Sequence, residues 1–203
     1  TRAISTQEAI EQNVIEESVK IDWEKNKVYV NLPFMKNPVP ILTEKHHGNS
    51  NYSQALKVYI TQCKKSESAI QGMRDVHKEL VERGFMSKLE ELPDEQKNLI
   101  HQAPFKHYYP WRVVEKEDSL STPVRMVVDP TMSGLNGLLA KGENKLGEMM
   151  NILIATRVTP YAWSSDISKL YNQLILENNA LPYSLFLFHD SLEPNVKPVV
   201  FTM

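Results

Sequence analysis

An α+β fold is predicted by three features of this sequence: apolar residues at helical spacing gathered in the first half, short β-rich runs gathered in the second, and enough apolar mass for a core. With 41% apolar and 24% charged residues over 203 positions, the composition is that of a globular chain forming one domain or two small lobes. No apolar run approaches the roughly 18 residues of a membrane helix, and TRAISTQEAIEQ lacks the basic and apolar sections of a signal peptide, so an intracellular, non-secreted protein without membrane partners is expected. Cys63 stands alone and forms no internal disulfide, and no Cys/His cluster has zinc spacing. His46 and His47 adjoin Gly48-Asn49-Ser50-Asn51 and read as part of a solvated turn. A net charge of −2 carries no basic bias toward nucleic acid, so any such contact needs a local arrangement or further parts of a longer protein.

Residues 4–21 carry Ile4, Ile10, Val14, Ile15, Val19 and Ile21 among Glu and Gln, a helical spacing, and Ser5 three residues before Glu8 suits a capping box. KVYVNL at 27–32 alternates as a strand does; Pro33, Pro38 and Pro40 end it and predict an extended linker to about Ser50. Residues 51–65 and 68–83 both have helical spacing. The second carries Ile70, Met73, Val76, Leu80 and Val81 and closes at Gly84, a residue suited to the left-handed position after a helix. Pro93-Asp94-Glu95 opens a short helix through Ile100, because Pro is tolerated in a first turn and acids favour its positive end.

From Pro104 the character changes. Residues 105–114 (FKHYYPWRVV) and 123–128 (PVRMVV) read as two strands of a hairpin around the charged loop 115–122. Alternation puts Arg125 on the face opposite Val124 and Met126, able to reach outward while they hold the sheet; a solvated surface arginine fits the same pattern. Residues 134–142 form a polar turn into a helix through about Arg157, with Leu146, Met149, Met150, Leu153 and Ile154 as its expected buried stripe. Two glycines eight positions apart are no phosphate loop. Tyr183–Phe188 (YSLFLF) and Pro198–Phe201 (PVVF) are further strands joined through a turn-rich 189–194.

Between these lies Tyr161–Leu174, YAWSSDISKLYNQL. The apolar approach Tyr161-Ala162-Trp163 fits a short buried strand, and beyond Asp166 the residues Ile167, Leu170, Tyr171 and Leu174 share one face of a helix. Asp166 thus stands at a strand-to-helix junction, open to a metal or a phosphate. Asp is equally a favoured helix N-cap, which accounts for it without chemistry.

The run from Arg125 to Phe188 resembles the reverse transcriptases of BEL/Pao-type long-terminal-repeat retrotransposons. The likeness rests on arginine before an apolar pair and Asp129, on Leu135-Asn136 followed by Gly142, on Arg157, and on Asp166 with an aromatic five residues later; KVYVNLPF, NSNYSQALKV, VERGFMSKLEEL and HYYPWRVV follow the group's order upstream. The resemblance implies a right-hand polymerase fold: 1–50 an N-terminal helix, strand and Pro-rich linker, 51–160 a fingers-like helical and hairpin region, and 161–203 a partial palm of antiparallel sheet on helices. It implies that Asp166 is the first catalytic aspartate and a metal ligand, joined by the backbone carbonyl of Ile167. Tyr171 becomes the ring beneath the incoming sugar, Arg125 the fingers arginine against the triphosphate, and Asp129 the acid after that strand, while Lys169 and Gln173 have no implied role.

The implied chemistry suits these residue types. In-line displacement at phosphorus uses two Mg²⁺ ions about 4 Å apart, magnesium takes hard oxygen donors, and a planar guanidinium grips phosphate oxygens. Mg²⁺, a template-primer of RNA or DNA and a dNTP are therefore the implied cofactor and partners. The remainder of a polyprotein (rest of the palm, thumb, ribonuclease H, integrase) is implied too, in cytoplasmic retroelement particles. The group's pair of adjacent aspartates does not occur in these residues, so the chain reads as truncated before that hairpin and inactive alone. Trp111, where the group often has histidine, and Pro130, where a small residue is usual, are further departures. A decayed or co-opted fingers remnant serving as a binding or structural module is the alternative.

Overall fold

The computed structural model describes residues 5–115, 124–142, 149–158, 160, 161, 163, 165 and 169–202. Helix α1 (Thr6–Glu17) starts on the expected capping box: the Ser5 hydroxyl accepts from Glu8 N and the Glu8 carboxylate accepts from Ser5 N. It ends earlier than its spacing predicts, because Val19–Asp22 forms strand β1, paired antiparallel with β2 (Lys27–Val30). The predicted linker is instead interrupted by helix α2 (Pro38–His46). Asn37 accepts from Val39 N there, and prolines at the start of a helix remove N–H groups that have no intrahelical acceptor anyway. Helices α3 (Tyr52–Gln62), α4 (Glu67–Glu82) and α5 (Asp94–Gln102) stand close to the predicted spans. At the end of α4, Gly84 takes φ +73° while Phe85 N bonds to Leu80 O, the left-handed closure that its glycine predicts.

Small sheets join these helices into a mixed α+β architecture. Strands β4 (Trp111–Glu115) and β5 (Val124–Val128) form the predicted antiparallel hairpin, with Trp111 opposite Val128 and Val114 opposite Arg125. Strand β6 (Ile175–Leu176) lies parallel to β2, and β7 (Leu185–Phe188) pairs antiparallel with β8 (Val199–Thr202), whose far side takes β3 (Ser87–Lys88). Strand β8 is thus paired on both sides. The free side of β7 is bridged by Tyr108, with Tyr109 N donating to Leu185 O at 2.8 Å and Leu185 N to His107 O at 3.1 Å.

Every residue of β7 is buried because the strand serves two cores at once. Phe186 and Phe188 point into the cluster of Tyr59, Met73, Leu80, Trp111 and Phe201; Leu185 and Leu187 point into that of Ala55, Leu89, Ile100 and Leu181. Trp111 fills the first and donates its indole N–H to Leu187 O at 2.9 Å. A third, smaller cluster of Leu42, Phe105 and Leu135 lies under α2.

Three expectations are corrected. Helix α7 (Met149–Val158) forms, but Met150, Leu153 and Ile154 of its expected buried stripe are exposed: helical spacing says which residues share a face, not that anything covers it. Leu146 lies outside the described residues. Tyr161 and Trp163 belong to no strand and are 90% and 89% exposed. In place of an α-helix after Asp166, residues Leu170–Gln173 make a single 3-10 turn, entered through Lys169 in the left-handed region. No described helix is long and apolar enough to cross a membrane.

Candidate functional site

The hairpin positions Arg125. Val124 and Met126 pack toward the first core cluster, so alternation turns Arg125 outward and leaves it exposed, as predicted. Cross-strand pairing gives it Val114 as neighbour, and Arg112, opposite Val127, shares that outward face. The strand reaches its place through α4: a Cβ at Gly72 would lie 2.4 Å from Val124 Cγ2, so only glycine lets the helix approach so near.

Asp129 ends the strand and has three structural duties. Its N–H donates to Pro110 O at 2.7 Å, closing the base of the hairpin. One carboxylate oxygen caps the short turn α6 (Pro130–Ser133) by accepting from Met132 N, and the other pairs with Arg112 at 3.4 Å. Behind that turn His107 is fully buried, with Nδ1 3.0 Å from Tyr183 O and Nε2 2.6 Å from Ser133 Oγ. Burial pushes its pKa down to about 4, so the ring is neutral: Nδ1–H donates to the carbonyl, and Nε2 shares the single Ser133 hydroxyl proton with Pro130 O, 2.8 Å from the same oxygen. Neither a family model nor a curated protein matches the chain.

Tyr171 sits on the 3-10 turn and is 86% exposed. That turn is moored to α4 by Lys169, whose amine reaches Glu79 Oε2 at 2.7 Å and holds the Glu79 carboxyl below its usual range. Both Arg125's strand and Tyr171's turn are therefore fastened to α4, one beside Gly72 and one at Glu79. Seven residues separate these moorings, about 10 Å along the helix axis. Asp166 and Ile167 lie outside the described residues. Among the described residues no group of three His, Cys, Asp or Glu side chains could hold a metal ion.

Sequence reasoning gave Arg112 and Lys169 no role and missed Glu79 and the His107–Ser133 pair, because each acts through a residue distant in sequence. It also misread His46, whose half-buried Nε2 lies 2.8 Å from Ser133 O and not in a solvated turn. Gly142 alone had a local signal: at φ +68° it suits glycine, and its N–H donates to Glu11 Oε2.

Proposed function

We propose that this chain is the fingers and first palm segment of an RNA-directed DNA polymerase from a retroelement polyprotein. The observation that carries the reading is the hairpin: an arginine turned outward from a strand whose inner face is core, ended by an aspartate that locks the hairpin base, on a helix that also moors the tyrosine turn. In this reading Arg125 grips the triphosphate and Tyr171 packs against the sugar, for which an exposed ring on a tethered turn is suited. Asp129 acts mainly by keeping the hairpin and α6 in register. Asp166 and the carbonyl of Ile167 are the oxygen donors assigned to Mg²⁺, which when bound supplies charge neutralisation at the reacting phosphate.

The test belongs to the full polymerase that the reading implies. There Asp166→Ala should abolish nucleotide incorporation while template-primer affinity stays within about twofold, and Tyr171→Val should admit ribonucleotides. Incorporation that survives Asp166→Ala, or a loss of binding as large as the loss of activity, would refute the assignment.

A further inference from the structure

We propose that the free edge of strand β1 pairs antiparallel with the same edge of a second copy of this chain, Ile21 opposite Ile21 about a two-fold axis. The strand order β1-β2-β6 leaves β1 at the border of its sheet, and among the described residues no strand or bridge lies on its other side. An edge of this kind presents backbone donors and acceptors to a further strand. The ladder shows which groups they are. Asn31 N donates to Ser18 O at 2.8 Å, one step beyond the Val19–Val30 pair of the register. Bonded positions alternate in an antiparallel ladder, so Lys20 and Asp22 bond to β2 while Val19 and Ile21 direct their N–H and C=O to the free side.

The same edge carries uncovered apolar side chains. Ile21 is 50% exposed, Val19 38%, and Trp23, the first residue after the strand, 78%. Val19 and Ile21 lie on one face of the strand, so a neighbouring strand covers both together.

Charge selects the occupant and its alignment. A two-fold axis normal to the sheet keeps each face on its own side, so self-pairing centres on Lys20, on Ile21 or on Asp22. Centring on Lys20 opposes two ammonium groups, and centring on Asp22 opposes two carboxylates, each unfavourable across a ladder. Centring on Ile21 instead sets Lys20 against Asp22 of the second copy and Asp22 against its Lys20. Both charge pairs then fall at the positions without ladder bonds, where Cα atoms lie about 4.5 Å apart and side chains approach most closely. The two Ile21 residues exchange both of their backbone bonds, and Trp23 of each copy stands level with Val19 of the other. Within the chain Lys20 also reaches Glu177 at 2.5 Å, and Asp22 meets Lys25 at 3.3 Å. Pairing therefore continues an alternating row: Glu177, Lys20, then Asp22 and Lys25 of the second copy. VKID is its own complement only in this alignment, which is why a second copy fits the edge. The pairing is independent of the polymerase reading.

The test is sedimentation equilibrium of the 203-residue chain carrying Ile152→Lys and Ile154→Glu, which removes the exposed α7 face as a source of association. A monomer–dimer equilibrium is expected, weakening as salt rises because the charge pairs are solvent-exposed. Lys20→Asp alone, or Asp22→Lys alone, makes both cross-axis pairs like-charged and should weaken dimerisation about tenfold. Mixing those two variants restores opposite charges at both pairs, so the mixture should dimerise as the parent does. The double variant, Lys20→Asp with Asp22→Lys, exchanges the charges within one chain and should also dimerise like the parent, which shows that neither change acts by unfolding the strand. A parent chain that stays monomeric at every concentration, a dimer indifferent to the single charge changes, or a mixture and a double variant no more dimeric than the single variants would each overturn the proposal.

Discussion

Two buried histidines set how this fold answers to acid. His77 is stacked on Phe188 at 3.7 Å and meets Phe201 edge-on, with Nδ1 3.8 Å from Asp190; burial pushes its pKa down to about 4, as it does for His107. An unfolded chain takes up these protons near the ordinary value of 6.5, whereas the folded chain resists until about 4. Below pH 6.5 the unfolded state therefore binds more protons, and stability falls as the pH drops toward 4, levelling beneath it. Each group contributes up to ~3 kcal/mol to that fall. Urea unfolding at pH 7 and pH 4.5 should show the loss, and His77→Phe with His107→Leu should flatten the pH dependence, whatever they do to stability at pH 7. A wild-type midpoint that does not move between the two pH values would contradict the burial argument.

At the scale of elements, the contact between α4 and β5 sets the hairpin in place. Replacing Gly72 with Ala gains roughly 1 kcal/mol of helix propensity. The added methyl would meet Val124 carbons at 2.4 to 2.9 Å, and overpacking of a strand side chain costs about 1–3 kcal/mol. The clash wins: Gly72→Ala should destabilise the chain in thermal or urea unfolding, and adding Val124→Ala should restore only part of the loss, by removing both Cγ contacts while Val124 Cβ at 2.6 Å stays. Additive losses would mean that helix and strand are not in contact there. Such contacts explain what the sequence shows and hides. The spans of α3, α4, α5 and the hairpin are legible because capping, helical spacing and alternation are local. Helix α2 is hidden by its prolines, which read as breakers unless their position in the first turn is known.

Over the whole molecule, apolar surface is unevenly covered. Met150, Ile152, Leu153, Ile154 and Val158 of α7 are all exposed, as are Tyr161, Trp163 and Leu170. A patch of this kind promotes association, so the chain should bind a hydrophobic dye in its native state and self-associate with rising concentration. Ile152→Lys with Ile154→Glu should reduce both without lowering the unfolding midpoint, since neither side chain is in the core; a midpoint that falls would show that this face is covered in solution.

From its residues alone the chain determines an α+β fold, the hairpin, the outward turn of Arg125 and the candidacy of Asp166, because each depends on neighbours a few positions away. Only tertiary structure decides that Asp129 pairs with Arg112, that Lys169 moors the Tyr171 turn to Glu79, and that β7 is buried on both faces. The Lys169–Glu79 contact alone joins residues 90 positions apart, and periodicity along a chain carries no record of which distant face will meet it.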